Sequence, residues 1–92
     1  MIKLRLQDKV ALVTGAGRGI GCAIVKLFAD EGAKSVINYS RSEKEARSLA
    51  EELHKQGRDV LLVKADVSRP DQVKEMINQT TERFGRIDVL VN

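Results

Sequence analysis

Short apolar runs alternate with amphipathic stretches of helical period along the chain. This alternation constrains the fold more than any other feature. Residues 9–14, Lys-Val-Ala-Leu-Val-Thr, form a β-rich run that stops at Gly15. Ile20, Ala23, Ile24, Leu27 and Phe28 then recur at i, i+3, i+4, i+7 and i+8, one stripe of a helix with Gly32 as its stop. Residues 35–39 read as a second strand. Ser42 and Glu45 have the spacing of a capping box ahead of a stripe of Ala46, Leu49, Ala50 and Leu53, which stops near Gly57. Residues 59–64 make a third strand. Ser68 and Asp71 repeat the capping-box spacing, with Pro70 tolerated in the first helical turn. Val73, Ile77, Thr80 and Phe84 form the third stripe, Met76 adds helix packing, Gly85 is the stop, and residues 86–91 are a fourth strand.

The pattern predicts an α/β fold, a three-layer Rossmann-like βαβαβαβ half-domain. Continuously apolar strands separated by helices imply a parallel sheet covered on both faces. Right-handed crossovers favour the strand order 3-2-1-4, with the first two helices on one face and the third on the other. One helix alone on the second face is expected to leave apolar surface bare. Residues 1–92 are read as one truncated dinucleotide-binding domain, since the chain is too short for two.

Composition narrows the function classes. With 42% hydrophobic and 32% charged residues, the chain has enough Val, Ile, Leu and Ala for a core and is not a disordered tail. No apolar run is long enough to span a membrane, and residues 1–8 lack the apolar block of a signal peptide. The single cysteine, Cys22, excludes an intrachain disulfide and a thiol-based zinc site, and a reducing cytoplasm (or plastid stroma, in a plant) is the expected compartment. A net charge of +3, spread with alternating sign, and three aromatic residues argue against a nucleic-acid partner. His54, the only histidine, has no partner at metal-ligand spacing, and no metal site is expected.

The strongest chemical signal is Thr-Gly-Ala-Gly-Arg-Gly-Ile-Gly at residues 14–21, placed where a strand turns into a helix. Such a loop aims backbone N–H groups and the helix dipole at an anion. Its glycines permit the turn and let a pyrophosphate approach the backbone. Gly21 is expected to let the helix pack closely on the sheet. Gly15, Gly19 and Gly21 read G-x-x-x-G-x-G rather than the common G-x-G-x-x-G, and no Gly-Lys-Ser/Thr follows to make a P-loop. A glycine-rich turn without a ligand is the alternative reading.

This loop after the first strand resembles that of the short-chain dehydrogenase/reductase family. Two further segments match in order and spacing. Ala-Asp-Val-Ser at 65–68 resembles the family's adenine-contact position, and Ile-Asp-Val-Leu-Val-Asn at 87–92 resembles the strand leading into its N-N-A-G motif. The resemblance covers the whole chain. With Asn38, Tyr39, Ser40 and Arg41, the loop is most similar to that of 3-oxoacyl-(acyl-carrier-protein) reductases. The resemblance implies cofactor contacts from Gly15, Gly17, Arg18, Gly19, Ile20 and Gly21. It also implies that Asp66 meets the adenine amino group, that Val67 adds a backbone contact, and that Asn92 meets a cofactor ribose.

The second strand bears on which dinucleotide is bound. An NAD site needs a carboxylate at the end of that strand to accept from the ribose 2′-hydroxyl. No Asp or Glu lies between Glu31 and Glu43; Asn38, Tyr39, Ser40 and Arg41 stand there instead. Arg41 and Arg18 supply charge and Ser40 a hydroxyl for a 2′-phosphate, so NADP(H) is expected over NAD(H). A solvated Arg41 ahead of a helix is the alternative.

The family's hydride transfer uses a Ser, a Tyr and a Lys four residues after that Tyr. Here the only tyrosine is Tyr39 and position 43 is Glu, so no catalytic residue is assigned. Two functions therefore stand side by side. One is an NADP(H)-binding half-site of a carbonyl reductase. The other is a self-associating assembly fragment, a homodimer or larger species, joined through the open edge of the fourth strand or the under-covered face.

Overall fold

The computed structural model describes residues 5–17 and 19–92. Its elements run β1 (Val10–Val13), α1 (Gly19–Asp30), β2 (Lys34–Tyr39), α2 (Glu43–Lys55), β3 (Val60–Lys64), α3 (Pro70–Phe84) and β4 (Val89–Val91). The strands form one parallel sheet in the order β3-β2-β1-β4, as the alternation predicts. Every residue of β1 is buried, because both of its edges are paired and both of its faces are covered.

Two apolar clusters lie on opposite faces. On one face, Val13, Ile37 and Tyr39 pack against Val25 and Ala29 of α1 and Ala46, Leu49 and Leu53 of α2. On the other, Val10, Leu12, Val36 and Val63 meet Met76 of α3. That second face is thinly covered: Val67, Ile77 and Leu90 are 52%, 39% and 58% exposed around a groove of about 260 Å³.

The second stripe forms as expected, with Ala46, Leu49 and Leu53 buried. The first does not. Ile20 and Leu27 are 79% and 62% exposed, while Val25 and Ala29 are fully buried with Cys22, Ile24 and Phe28 partly so. Helix α1 is apolar nearly all round, so periodicity alone could not choose its inner face. In α3 the buried positions are Met76 and Thr80 rather than Ile77, and the Thr80 hydroxyl donates to Met76 O at 2.8 Å.

Neither capping box forms. Ser42 precedes α2 but its side chain caps nothing. The α3 cap is Arg69, not Ser68, in extended backbone with φ −109° and ψ 111°. Pro70 explains this, since a residue before proline is pushed out of the helical region. The glycine stop of α3 holds: Gly85 is left-handed at φ 85° and its N–H returns to Thr81 O.

Candidate functional site

The carboxyl ends of β1, β2, β3 and β4 converge at one end of the sheet. The order reverses between β1 and β4, and open α/β sheets bind ligands outside the strand ends at such a point. Of the residues singled out by sequence, Gly15, Gly17, Gly19, Ile20, Gly21, Asn38, Tyr39, Ser40, Arg41, Asp66, Val67 and Asn92 all lie on or beside these ends. Arg18 lies outside the described residues.

The glycine loop is shaped by its own backbone. Gly15 and Gly19 have φ of 61° and 62°, a conformation that side-chain-bearing residues rarely adopt. Gly21 faces the loop itself rather than the sheet: a Cβ there would stand 2.6 Å from Gly15 O and 2.9 Å from Ala16 Cα. Gly17 is buried against the start of α2, where a Cβ would come within 2.8 Å of Ser42 Cβ. The loop is therefore clamped between the first turns of α1 and α2.

Two of the residues expected to touch cofactor turn inward. Asn38 is 2% exposed; its Nδ2 donates to Ala65 O at 3.1 Å and Val63 O at 3.4 Å, and its Oδ1 accepts from Gly15 N–H at 3.2 Å. Its side chain has no donor left for a ligand. Tyr39 is 5% exposed, with its ring in the α1/α2 cluster and its hydroxyl donating to Glu43 Oε1 at 3.4 Å. Ser40 and Arg41, by contrast, are exposed. With Gly15, Gly17, Tyr39 and Ser42 they line a cavity of about 220 Å³ whose walls carry no carboxylate.

Asp66 lies just beyond β3. Its Oδ1 accepts from the Ser68 hydroxyl at 2.7 Å and the Ser68 N–H at 2.9 Å, and its own N–H donates to Gln72 Oε1 at 2.7 Å. The Ser68 hydroxyl and then the Ser68 N–H hold the Asp66 carboxyl below the usual carboxylate range. Partial desolvation opposes them, and the Arg69 and Arg41 charges add to the lowering. Sequence reading passed over Ser68 and Gln72 as supports, although Asp-x-Ser is an Asx-turn signal. At the end of β4, Asn92 Oδ1 accepts from Thr14 Oγ1 at 3.3 Å, which ties it to the first residue of the loop.

Other features carry no comparable arrangement. A cavity of about 530 Å³ lies between α1 and α2, beside half-buried Cys22, and is lined by charges of both signs including Lys26, Lys44 and Glu52. His54 is exposed on α2. Among the described residues, no cluster of His, Cys, Asp and Glu could hold a metal ion, and no helix is long and apolar enough to cross a membrane.

The family model for short chain dehydrogenase matches residues 9–92. The chain belongs to this family. A versicolorin reductase of Emericella nidulans is 45% identical over 86 residues, which cover 94% of this chain and 33% of that protein. A 3-oxoacyl-(acyl-carrier-protein) reductase of Staphylococcus epidermidis is 44% identical over 86 residues, 94% of this chain and 35% of that protein. Among solved structures, a Burkholderia cenocepacia short chain dehydrogenase in complex with NADP superposes with a TM-score of 0.91 at 41% identity, covering 96% of this chain and 36% of that one. A blue fluorescent protein from a metagenomic library, in complex with NADPH, gives 0.88 at 40% identity, covering 92% and 35%. This member of the family thus spans about a third of the length of the curated relatives it matches. Relatives solved with NADP and NADPH accord with a nicotinamide dinucleotide as the family's cofactor.

Proposed function

We propose that the chain carries the adenosine half-site for NADP(H) of a short-chain reductase whose reaction is the reduction of a 3-oxoacyl or similar carbonyl group. The observation that carries this reading is the carboxylate-free cavity at the end of β2, with Ser40, Arg41 and Ser42 on its walls. The residues suit the group. A Cβ placed at Gly15 or Gly19 would meet nothing within 4 Å, so the loop offers open space to a phosphate. The first turn of α1 supplies N–H groups and the positive end of a helix dipole to the pyrophosphate. Arg41 and Ser40 take the 2′-phosphate, Asp66 and Val67 border the adenine, and Asn92 borders a ribose. Arg18 adds a cation to the loop by sequence alone. When bound, NADPH supplies the hydride for carbonyl reduction; the residues named here bind and orient its adenosine end. A cytoplasmic setting accords with this reading.

Calorimetric titration tests it. We expect saturable NADP(H) binding at least tenfold tighter than NAD(H), with the difference lost in Arg41→Ala. Equal affinity for the two cofactors, or tighter NAD(H) binding, would overturn the 2′-phosphate assignment.

A second reading rests on a separate observation. Among the described residues β4 pairs only with β1 and no further strand lies on its outer edge, beside the groove that exposes Leu90, Val67 and Ile77. Such an edge is a template for pairing with another chain. On this reading the chain self-associates, and Val89→Lys returns it to a monomer in sedimentation velocity. A wild-type chain that stays monomeric at high concentration rules this out.

A further inference from the structure

The loop leaves β1 at Thr14, so beyond that point β2 has no β1 backbone to pair with on that side. Asn38 replaces the missing ladder. Its backbone carbonyl accepts from Ala16 N–H at 2.9 Å and its side-chain Oδ1 from Gly15 N–H at 3.2 Å. On the other side its Nδ2 reaches Val63 O and Ala65 O, while Ala65 N–H donates to Tyr39 O at 2.9 Å. A primary amide has one acceptor oxygen and two N–H donors, and here all are engaged. The reversed amide orientation would face its oxygen to two carbonyls and its NH₂ to an N–H, so the neighbours fix the orientation.

We propose that Asn38 is a positioning residue for dinucleotide binding. It locks the glycine loop to the end of β3, so that the phosphate-facing turn and the Asp66 segment hold a single relative placement. The inference rests on the half-site reading above and deepens it. Gly15 and Ala16 spend their N–H groups on Asn38, so those two amides are not offered to the pyrophosphate, whereas the first turn of α1 offers its own. An ionised Asp lacks the donors, Ser and Thr are too short to bridge both segments, and Leu has the shape without the polarity.

The test is Asn38→Asp, titrated with NADP⁺ between pH 5 and pH 8 beside wild type. A protonated carboxyl donates to Ala65 O and accepts from Gly15 N–H, much as the amide does. An ionised one is buried against two carbonyl oxygens, so its pKa rises and the latch opens as pH increases through it. Asp66, Tyr39, Arg41 and Lys64, on the segments that meet here, are common to both proteins. The ratio of variant to wild-type dissociation constants therefore cancels their titration and that of the 2′-phosphate. We expect a ratio within about threefold of unity at pH 5 and above tenfold at pH 8. Asn38→Ala, which cannot ionise, gives a loss of about tenfold at every pH, with its fold checked by circular dichroism. Amide exchange at Gly15 reads the latch without ligand and accelerates at least tenfold in Asn38→Asp at pH 8. A pH-independent ratio near unity, with wild type saturating normally, overturns the role of Asn38 alone. Wild type that fails to bind NADP⁺ overturns the half-site reading and the positioning role with it, and the Gly15 amide then shows whether the latch itself exists.

Discussion

Gly21 offers the sharpest test of how the loop is built. In Gly21→Ala the new Cβ lies 2.6 Å from Gly15 O and 2.9 Å from Ala16 Cα, both backbone atoms. Those atoms cannot swing aside like the end of a flexible side chain, and their residues are already held by Asn38. Overpacking of this kind costs ~1–3 kcal/mol. Alanine returns up to about 1 kcal/mol through helix propensity, less in a first turn. The expected net loss is about 1–2 kcal/mol, which lowers the melting midpoint by roughly 4–15 °C for a domain of this size. The matched control is Gly57→Ala, at φ 79° with nothing within 4 Å of the added atom and far from the loop. Its left-handed backbone costs ~1–2 kcal/mol without touching the site. Thermal melts and NADP⁺ titrations of both variants separate the effects. Both lose stability, but only Gly21→Ala loses affinity, by tenfold or more. A Gly21→Ala protein that melts at or above wild type and binds NADP⁺ unchanged would refute the steric argument.

Other expectations follow from packing and charge. Leu12→Ala empties a site 1% exposed at the centre of β1 and costs ~2–5 kcal/mol, a large part of the ~5–15 kcal/mol typical of a domain, as urea denaturation will read. Asp66 and Asp88 both titrate below the usual carboxylate range, Asp66 chiefly through the Ser68 hydroxyl and Asp88 chiefly through the Val10 N–H. Their folded values lie below their unfolded ones, so their contribution is complete above an unfolded value near ~4 and is lost as pH falls through the lower folded values. The urea midpoint should therefore drop on acidification below about pH 4, and less steeply in Asp88→Asn. Lys26→Ala breaks an exposed 3.5 Å pair to Glu52 and should change the unfolding free energy by less than ~1 kcal/mol in the same assay.

The sheet order was legible because four strand-sized runs and three helices leave few right-handed layouts. The glycine loop was legible because Gly15 and Gly19 occupy backbone space closed to other residues. What could not be read was orientation. Helix α1 has apolar residues on nearly every side, so the stripe through Ile20 and Leu27 reads as inward from the sequence, while the fold buries Val25 and Ala29. At Ser42 and Ser68 a local pattern matched a cap, but proline geometry at Arg69 and the competing Asp66 carboxylate redirected the second. Asn38 and Tyr39 sit where cofactor residues are sought, yet β-strand neighbours decide which way a side chain points, and those neighbours come from distant parts of the chain. Only Ser40 and Arg41, past the end of the ladder, remain exposed toward the cleft.

The pairing of β1 with β4 begins between Ala11 and Val89, 78 residues apart along the chain. During synthesis at ~5–20 residues per second, β1 therefore waits roughly 4–16 s for its second neighbour. β2 and β3 arrive earlier, and among the described residues the hydrogen bonds from Gly15 and Ala16 N–H go to β2. A nascent chain can thus complete its phosphate loop while the opposite edge of β1 is still bare and apolar. That interval, rather than any defect of the finished site, is when this chain is most exposed to wrong strand pairing.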